Sequence, residues 1–251
     1  MKHSVIFDID GTAMPIGDDF GVPSQRLKAA VEQLQPTHHI STATGRSLYY
    51  AKHIIEYLGL TDPCIIAAGT EIYDPIKKEV IWREPIPQGA YNHIIEVLKD
   101  NHDEAFSGDT NEGGYTGASV KDLLNGKTSV VYLLAVDALE AAALTERLAH
   151  PDLHIINMHS FSDQLKRDIH IHSAKASKEH AVTELLRILG VPKEQSIVVG
   201  DGLNDLHLFV AGGTKIAMGN AVPELQAAAD TVIKSVAEDG LAEYLESLHA
   251  S

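Results

Sequence analysis

Short apolar runs that end in carboxylates, hydroxyls or glycine alternate along this chain with stretches whose apolar residues recur at helical spacing. The first run, Val5-Ile6-Phe7, ends in Asp8-Ile9-Asp10-Gly11-Thr12, which predicts a buried strand opening into a polar site. Leu27, Val31 and Leu34 follow at helical spacing behind Ser24, a residue suited to cap a helix. A second strand, His38 to Thr42, runs into Ala43-Thr44-Gly45-Arg46 and then a helix with Tyr50, Ile54, Tyr57 and Leu58 on its apolar side. Cys64 to Ala68 predicts a third strand closing at Gly69-Thr70. Strands alternating with helices imply βαβ units, hence an α/β fold with a Rossmann-like, doubly wound parallel sheet.

The rhythm then changes. Val80 to Arg83 predicts a short strand and Ala90 to Leu98 a helix, while Asn101 to Gly126 is rich in Gly, Asn and Asp without a period. Ser129 to Val136 predicts a strand, Asp137 to Leu148 an Ala-rich helix, and Leu153 to Met158 and Asp168 to His172 two further strands. This pattern predicts an α+β cap domain, residues 82–169, inserted into a core of 1–81 and 170–251. The parallel-sheet rhythm returns with a helix capped by Ser177 and the strand Ser196 to Gly200, which ends in Asp201-Gly202-Leu203-Asn204-Asp205.

Composition narrows the partners. A net charge of -15 argues against nucleic acid, which is bound through clustered Lys and Arg. No apolar run is long enough to span a bilayer, and the start lacks a signal-peptide plan, so a cytoplasmic protein without membrane contact is expected. The single cysteine, Cys64, fits a reducing compartment and is expected as a small buried hydrophobe. The chain is expected to act as a monomer or homodimer.

In open parallel sheets ligands bind beyond the carboxyl ends of the strands. Three predicted strands end there in functional side chains: Asp8 with Asp10, Thr44, and Asp201 with Asn204 and Asp205. Residues i and i+2 of a strand point the same way, so Asp8 and Asp10 are expected to project together. Four converging carboxylates need a compensating cation. Hard oxygen donors without thiolate suit Mg²⁺.

In these segments the chain resembles the phosphatase branch of the haloacid dehalogenase superfamily. Phe7-Asp8-Ile9-Asp10-Gly11-Thr12 is similar to the first family motif and Thr44-Gly45-Arg46 to the second. Lys178 matches the third, and Gly200-Asp201-Gly202-Leu203-Asn204-Asp205 the fourth. The long insert resembles the larger cap of the Cof-type and sucrose-phosphatase-like members. Gly219-Asn220-Ala221-Val222-Pro223-Glu224-Leu225 and Glu238-Asp239-Gly240-Leu241 look like Cof-type endings.

The resemblance implies a Mg²⁺-dependent phosphatase for a small phosphorylated substrate such as a sugar phosphate. Asp8 is then the nucleophile, forming an aspartyl-phosphate, and Asp10 the general acid and base. Thr44 and Lys178 bind the phosphoryl group, with Gly45, Arg46 and Asn204 also around the substrate. Asp8, the Asp10 carbonyl and Asp201 are implied as metal ligands, with Asp205 on metal-bound water or orienting Lys178. The segment Ala174-Lys175-Ala176-Ser177-Lys178 departs from the Cof-type pattern, which leaves Lys175 as an alternative to Lys178. Ala68 stands where those members often carry asparagine.

Other readings compete. A phosphomutase or phosphotransferase fits the same core, and so does a non-catalytic phosphosugar-binding regulator. His170 and His172 share a strand face and His38 and His39 precede the second motif, but no carboxylate lies at zinc-ligand spacing, so zinc is not expected. The Gly-rich stretch Ser107 to Gly117 lacks the lysine and strand-loop-helix context of a P-loop and is expected as a cap loop. Lys166-Arg167 is expected at a solvated hairpin tip.

Overall fold

The computed structural model describes residues 2–17, 20–99, 105–107, 116–118, 129–160, 163 and 165–249. In chain order the strands are β1 His3–Phe7, β2 His38–Thr42, β3 Cys64–Ile66, β4 Glu71–Asp74, β5 Glu79–Arg83, β6 Ala105–Ser107 and β7 Thr116–Ala118. They continue as β8 Val130–Asp137, β9 Leu153–His159, β10 Lys166–Ser173, β11 Ser196–Gly200, β12 Thr214–Ala217 and β13 Thr231–Val232. The helices are α1 Gln25–Leu34, α2 Leu48–Tyr57, α3 Gln88–Leu98, α4 Ala138–Leu148, α5 Lys178–Leu189, α6 Leu206–Ala211, α7 Pro223–Ala228 and α8 Gly240–His249.

The chain divides into two compact units, Met1–Trp82 with Ser177–Ser251, and Arg83–Ala176. The sequence placed these borders after residues 81 and 169. The second of those points falls inside β10, which pairs along its length with both β8 and β9.

The first unit is built on a parallel sheet of order β13-β12-β11-β1-β2. From β1 the chain crosses through α1 to β2 on one side, and from β11 through α6 to β12 on the other. Right-handed crossovers in opposite directions put helices on both faces of the sheet and create a switch point between β1 and β11. Because β1 is covered on both faces, Val5, Ile6 and Phe7 are all fully buried instead of alternating. Ser24 caps α1 by accepting from the Leu27 amide at 3.0 Å, and Leu27, Ala30, Val31 and Leu34 form its buried stripe.

The third predicted strand is shorter than expected. β3 stops at Ile66 and pairs antiparallel with β4, and its link to the parallel sheet is the bridge between Ala43 and Ile65. Beyond it Ala67, Ala68 and Gly69 have φ of 49°, 57° and 91°, so extended backbone cannot continue.

The second unit is an α+β module whose sheet has the order β7-β6-β8-β10-β9. Ile169 and Ile171 of β10 and Val131 and Leu133 of β8 pack with Tyr91, Ile94 and Leu98 of α3 and Leu144 and Leu148 of α4 in one apolar core. His170 and His172 alternate with these isoleucines and project from the opposite face of the sheet. β6 and β7 lie in the aperiodic stretch Asn101 to Gly126; most of that stretch, and with it most of Ser107 to Gly117, lies outside the described residues.

Candidate active site

The switch point places the ends of β1 and β11 side by side. Asp8 follows β1 directly, and its amide donates to the Val199 carbonyl of β11 at 3.0 Å. After Asp8 the chain folds into a tight turn in which the Ile9 carbonyl accepts from the amides of Thr12, Ala13 and Met14. Gly11 is required there twice. Its φ is +79°, and a Cβ at this position would stand 2.0 Å from Oδ2 of Asp201. The turn thus comes directly against the acidic turn after β11, and Thr12 Oγ1 donates to Asp201 Oδ1 at 3.0 Å.

Carboxylate oxygens of Asp8, Asp201 and Asp205 lie within 4.8 Å of one another, and all three residues are buried. Lys178, the first residue of α5 behind its Ser177 cap, brings a buried ammonium into the group. Its Nζ donates to Asp8 Oδ1 at 2.9 Å and to Asp205 Oδ1 at 2.7 Å. Asp205 Oδ2 accepts from the amides of Asp201 and Gly202, both at 3.0 Å. Both oxygens of Asp205 are therefore engaged in orienting Lys178 and closing its own turn.

One ammonium among three buried carboxylates leaves the site short of positive charge. Burial, reinforced by the neighbouring charges of Asp205 and Asp10, pushes Asp8 up to about 8 against the pull of Lys178. Burial likewise raises Asp201 to about 6, with the Thr12 hydrogen bond opposing it. Burial by itself would lower Lys178, but Asp205 and Asp8 outweigh it and hold the ammonium charged, with its pKa raised above the ordinary lysine value. Among the described residues, the cluster is the one group of three or more side chains disposed to hold a metal ion, and its donors are all carboxylate oxygens. A small hard cation such as Mg²⁺ fits that donor set and would supply the missing charge.

Asp10, beyond the end of β1, keeps its carboxylate close enough for its charge to act on both Asp8 and Asp201. It is gripped by Arg46 in a two-pronged pair, Nε to Oδ2 at 2.9 Å and Nη2 to Oδ1 at 2.6 Å. Thr44, fully buried after β2, accepts from the Arg46 amide at 3.1 Å through Oγ1. Gly45 and Asn204 are exposed. Lys175 is exposed within the inserted unit, whereas Lys178 is buried and bonds both Asp8 and Asp205.

His39 Nδ1 pairs with Asp62 Oδ1 at 2.8 Å, and His38 Nδ1 lies 2.9 Å from Thr37 Oγ1. His172 stacks on His154 and His170 meets Tyr132 edge-on. Burial lowers both His170 and His172 to about 4, so they stand as neutral rings at neutral pH.

The profile of the haloacid dehalogenase-like hydrolases matches residues 5–128 and, in an overlapping second stretch, 118–245. This chain belongs to that family. Among curated haloacid dehalogenase-like relatives, it is 25% identical over 270 residues to pyridoxal phosphate phosphatase YbhA of Escherichia coli, covering 97% of each chain. It is 23% identical over 243 residues to 5-amino-6-(5-phospho-D-ribitylamino)uracil phosphatase YcsE of Bacillus subtilis, covering 95% of this chain and 92% of that one. The fold is that of TM0651 from Thermotoga maritima, with a TM-score of 0.79 at 23% identity over 98% of this chain and 97% of the other. The family core and its inserted cap domain account for the two units described above, and the enzyme class is that of the phosphoric monoester hydrolases.

Two contributors to this haloacid dehalogenase-like site carry no role in the sequence reading. Thr12 is quoted there only as the end of the first motif, yet it bonds Asp201 directly; its place after the Gly11 turn was the available signal. The turn Ala67–Gly69 gives its Ala67 amide to the Arg46 carbonyl at 2.7 Å and its Ala68 amide to the Thr44 carbonyl at 3.1 Å. On its other side, a Cβ on Gly69 would stand 2.5 Å from the Ser177 carbonyl carbon and 2.7 Å from the Lys178 amide nitrogen. The turn therefore spaces Thr44 and Arg46 from Lys178. Nothing in local sequence pattern announces a left-handed pair of alanines.

Proposed function

We propose that the protein is a Mg²⁺-dependent phosphatase of a small phosphorylated metabolite, a sugar phosphate in the first instance, with Asp8 as its nucleophile. The observation that carries this reading is the buried Asp8 at the switch point, held by Lys178 and facing Asp201. Relatives named as phosphatases of pyridoxal phosphate and of a phosphoribitylamino-uracil support a small phosphorylated substrate. A fold neighbour described as a sugar phosphatase, BT4131, supports the sugar phosphate.

In the first step the Asp8 carboxylate attacks phosphorus and the ester P–O bond breaks. Asp10, with one oxygen released from the Arg46 fork and protonated, gives the leaving alkoxide that proton, and the phosphoryl group rests on Asp8 as an acyl phosphate. In the second step Asp10 takes a proton from water, which attacks phosphorus, frees inorganic phosphate and regenerates the Asp8 carboxylate. Lys178 sets its charge against the phosphoryl oxygens and Thr44 donates its hydroxyl to them. Arg46 fixes the rotamer of Asp10, and Asp205 fixes Lys178. The Asp8 and Asp201 carboxylates and the Asp10 carbonyl would hold Mg²⁺, which when bound neutralises phosphoryl charge as a Lewis acid.

The test is phosphate release from a panel of sugar phosphates, pyridoxal phosphate and other monoesters, with and without Mg²⁺. Turnover by the wild type and its loss in Asp8→Asn are expected. Undiminished turnover by Asp8→Asn would overturn the mechanism, and no release from any ester would overturn the function. Release of alcohol without matching phosphate would instead indicate transfer to a second hydroxyl.

A further inference from the structure

We infer that Asn220 is a positioning residue for the metal site: it holds the turn after β1 and the turn after β11 at the separation that Mg²⁺ needs. The inference rests on the metal-assisted reading above. Asn220 lies on the loop that follows β12, far in sequence from both turns. Its Nδ2 donates to the Gly11 carbonyl at 2.8 Å. The same loop bonds the other turn through its backbone, with Met218 N donating to the Gly200 carbonyl at 3.0 Å and Val222 N to the Asp201 carbonyl at 2.9 Å. The loop from Met218 to Val222 is thus a strap across both acidic turns, and Asn220 is its side-chain fastening to the first.

The strap has its own anchor. Asn220 Oδ1 accepts from the Val236 amide at 2.8 Å, and Gly219 N donates to the Lys234 carbonyl at 3.2 Å. The anchoring segment is braced by Ser235 and Glu238, whose carboxylate accepts from both the Ser235 amide and its hydroxyl. Asparagine suits the position because one short side chain must donate to Gly11 and accept from Val236; aspartate has no donor and alanine has neither group. Gly219-Asn220, which the strand-end chemistry leaves without a role, is one half of this fastening, and Lys234 to Val236, braced by Glu238, is the other. At Gly11 the two turns are already in contact with Asp201, so a small slip of the first turn changes the distance between Asp8 and Asp201 directly.

The experiment is calorimetric titration of MgCl₂ into the metal-free full-length protein, comparing wild type with Asn220→Ala, Asn220→Asp and Val236→Pro. Circular dichroism and a urea midpoint report folding for each. Asn220→Asp keeps the acceptor for Val236 and loses the donor to Gly11. Val236→Pro removes the anchoring amide at the first position of a helical turn, where proline is accommodated. The expected result is a Mg²⁺ Kd weakened roughly 10–100-fold in both Asn220 variants, the range for losing groups that orient metal ligands, since Gly11 directly follows Asp10, and weakened in the same direction but less in Val236→Pro. A Kd within about twofold of wild type in the folded variants would overturn the inference. Should the Asn220 variants fail to fold, an unchanged Kd in Val236→Pro overturns it and a weakened one supports it. Absence of Mg²⁺ binding by the wild type would instead overturn the metal-assisted reading beneath it.

Discussion

Asp205 Oδ1 accepts from Lys178 Nζ at 2.7 Å, while its other oxygen closes the turn through the amides of Asp201 and Gly202. Asp205 is thus tied into the fold through both of its oxygens, and Asp8 shares its lysine. Asp205→Ala leaves a buried amide and a half-buried one without their acceptor and Lys178 with one carboxylate. The expected cost is about 3 kcal/mol, the lower end for breaking a buried pair because Asp8 remains. Urea unfolding of the metal-free protein measures it, and a loss near zero contradicts this role.

The turn after β3 gives a test with the opposite sign. Ala68 sits at φ 57°, a left-handed conformation that costs an alanine about 1 kcal/mol and suits asparagine or glycine better. Ala68→Asn is expected to raise the melting temperature by roughly 2–4 °C. Gly69→Ala is expected to lower it and to reduce kcat, since its Cβ collides with the start of α5 at Ser177 and Lys178. Differential scanning calorimetry on both variants separates relief of strain from loss of fit.

Much of this site was legible before the fold. An apolar run ending in Asp8 and another ending in Asp201 place carboxylates at strand ends, because strand burial and strand polarity are local properties of sequence. The setting of Asp10 was not legible in the same way: its carboxylate is held by Arg46, a partner 36 positions away. The burial of Lys178 depends on its place at the start of α5, and the different hydrogen-bond partners of Asp201 and Asp205 depend on how one turn closes. Strand β3 was overextended because a continuous apolar run, Cys64 to Ala68, carries no sign of positive φ.

The grip of Arg46 on Asp10 depends on a planar fork, so lysine cannot replace it. Arg46→Lys keeps the charge and loses one of the two parallel bonds. The expected result is a fall in kcat of about tenfold, with a smaller change in KM, the pattern of a misplaced acid. Steady-state kinetics on the best substrate of the panel checks this. A change confined to KM would instead make Arg46 a substrate contact.

The electrostatics of the cluster set a pH dependence. Asp201 at about 6 and Asp8 at about 8 lie above the ordinary carboxylate value, chiefly through burial. The folded state therefore holds these protons to higher pH than the unfolded chain does. The stability they contribute is fully present below the unfolded pKa, and it is lost as pH rises through about 6 and then about 8. In metal-free protein the urea midpoint is expected to fall across this window, and the fall to be shallower in Asp8→Asn, whose amide carries no charge to desolvate. Saturating Mg²⁺ is expected to flatten the wild-type profile most at the alkaline end, where both carboxylates are ionised and available to a cation. Equal slopes in wild type and Asp8→Asn would show that Asp8 is not the group that titrates.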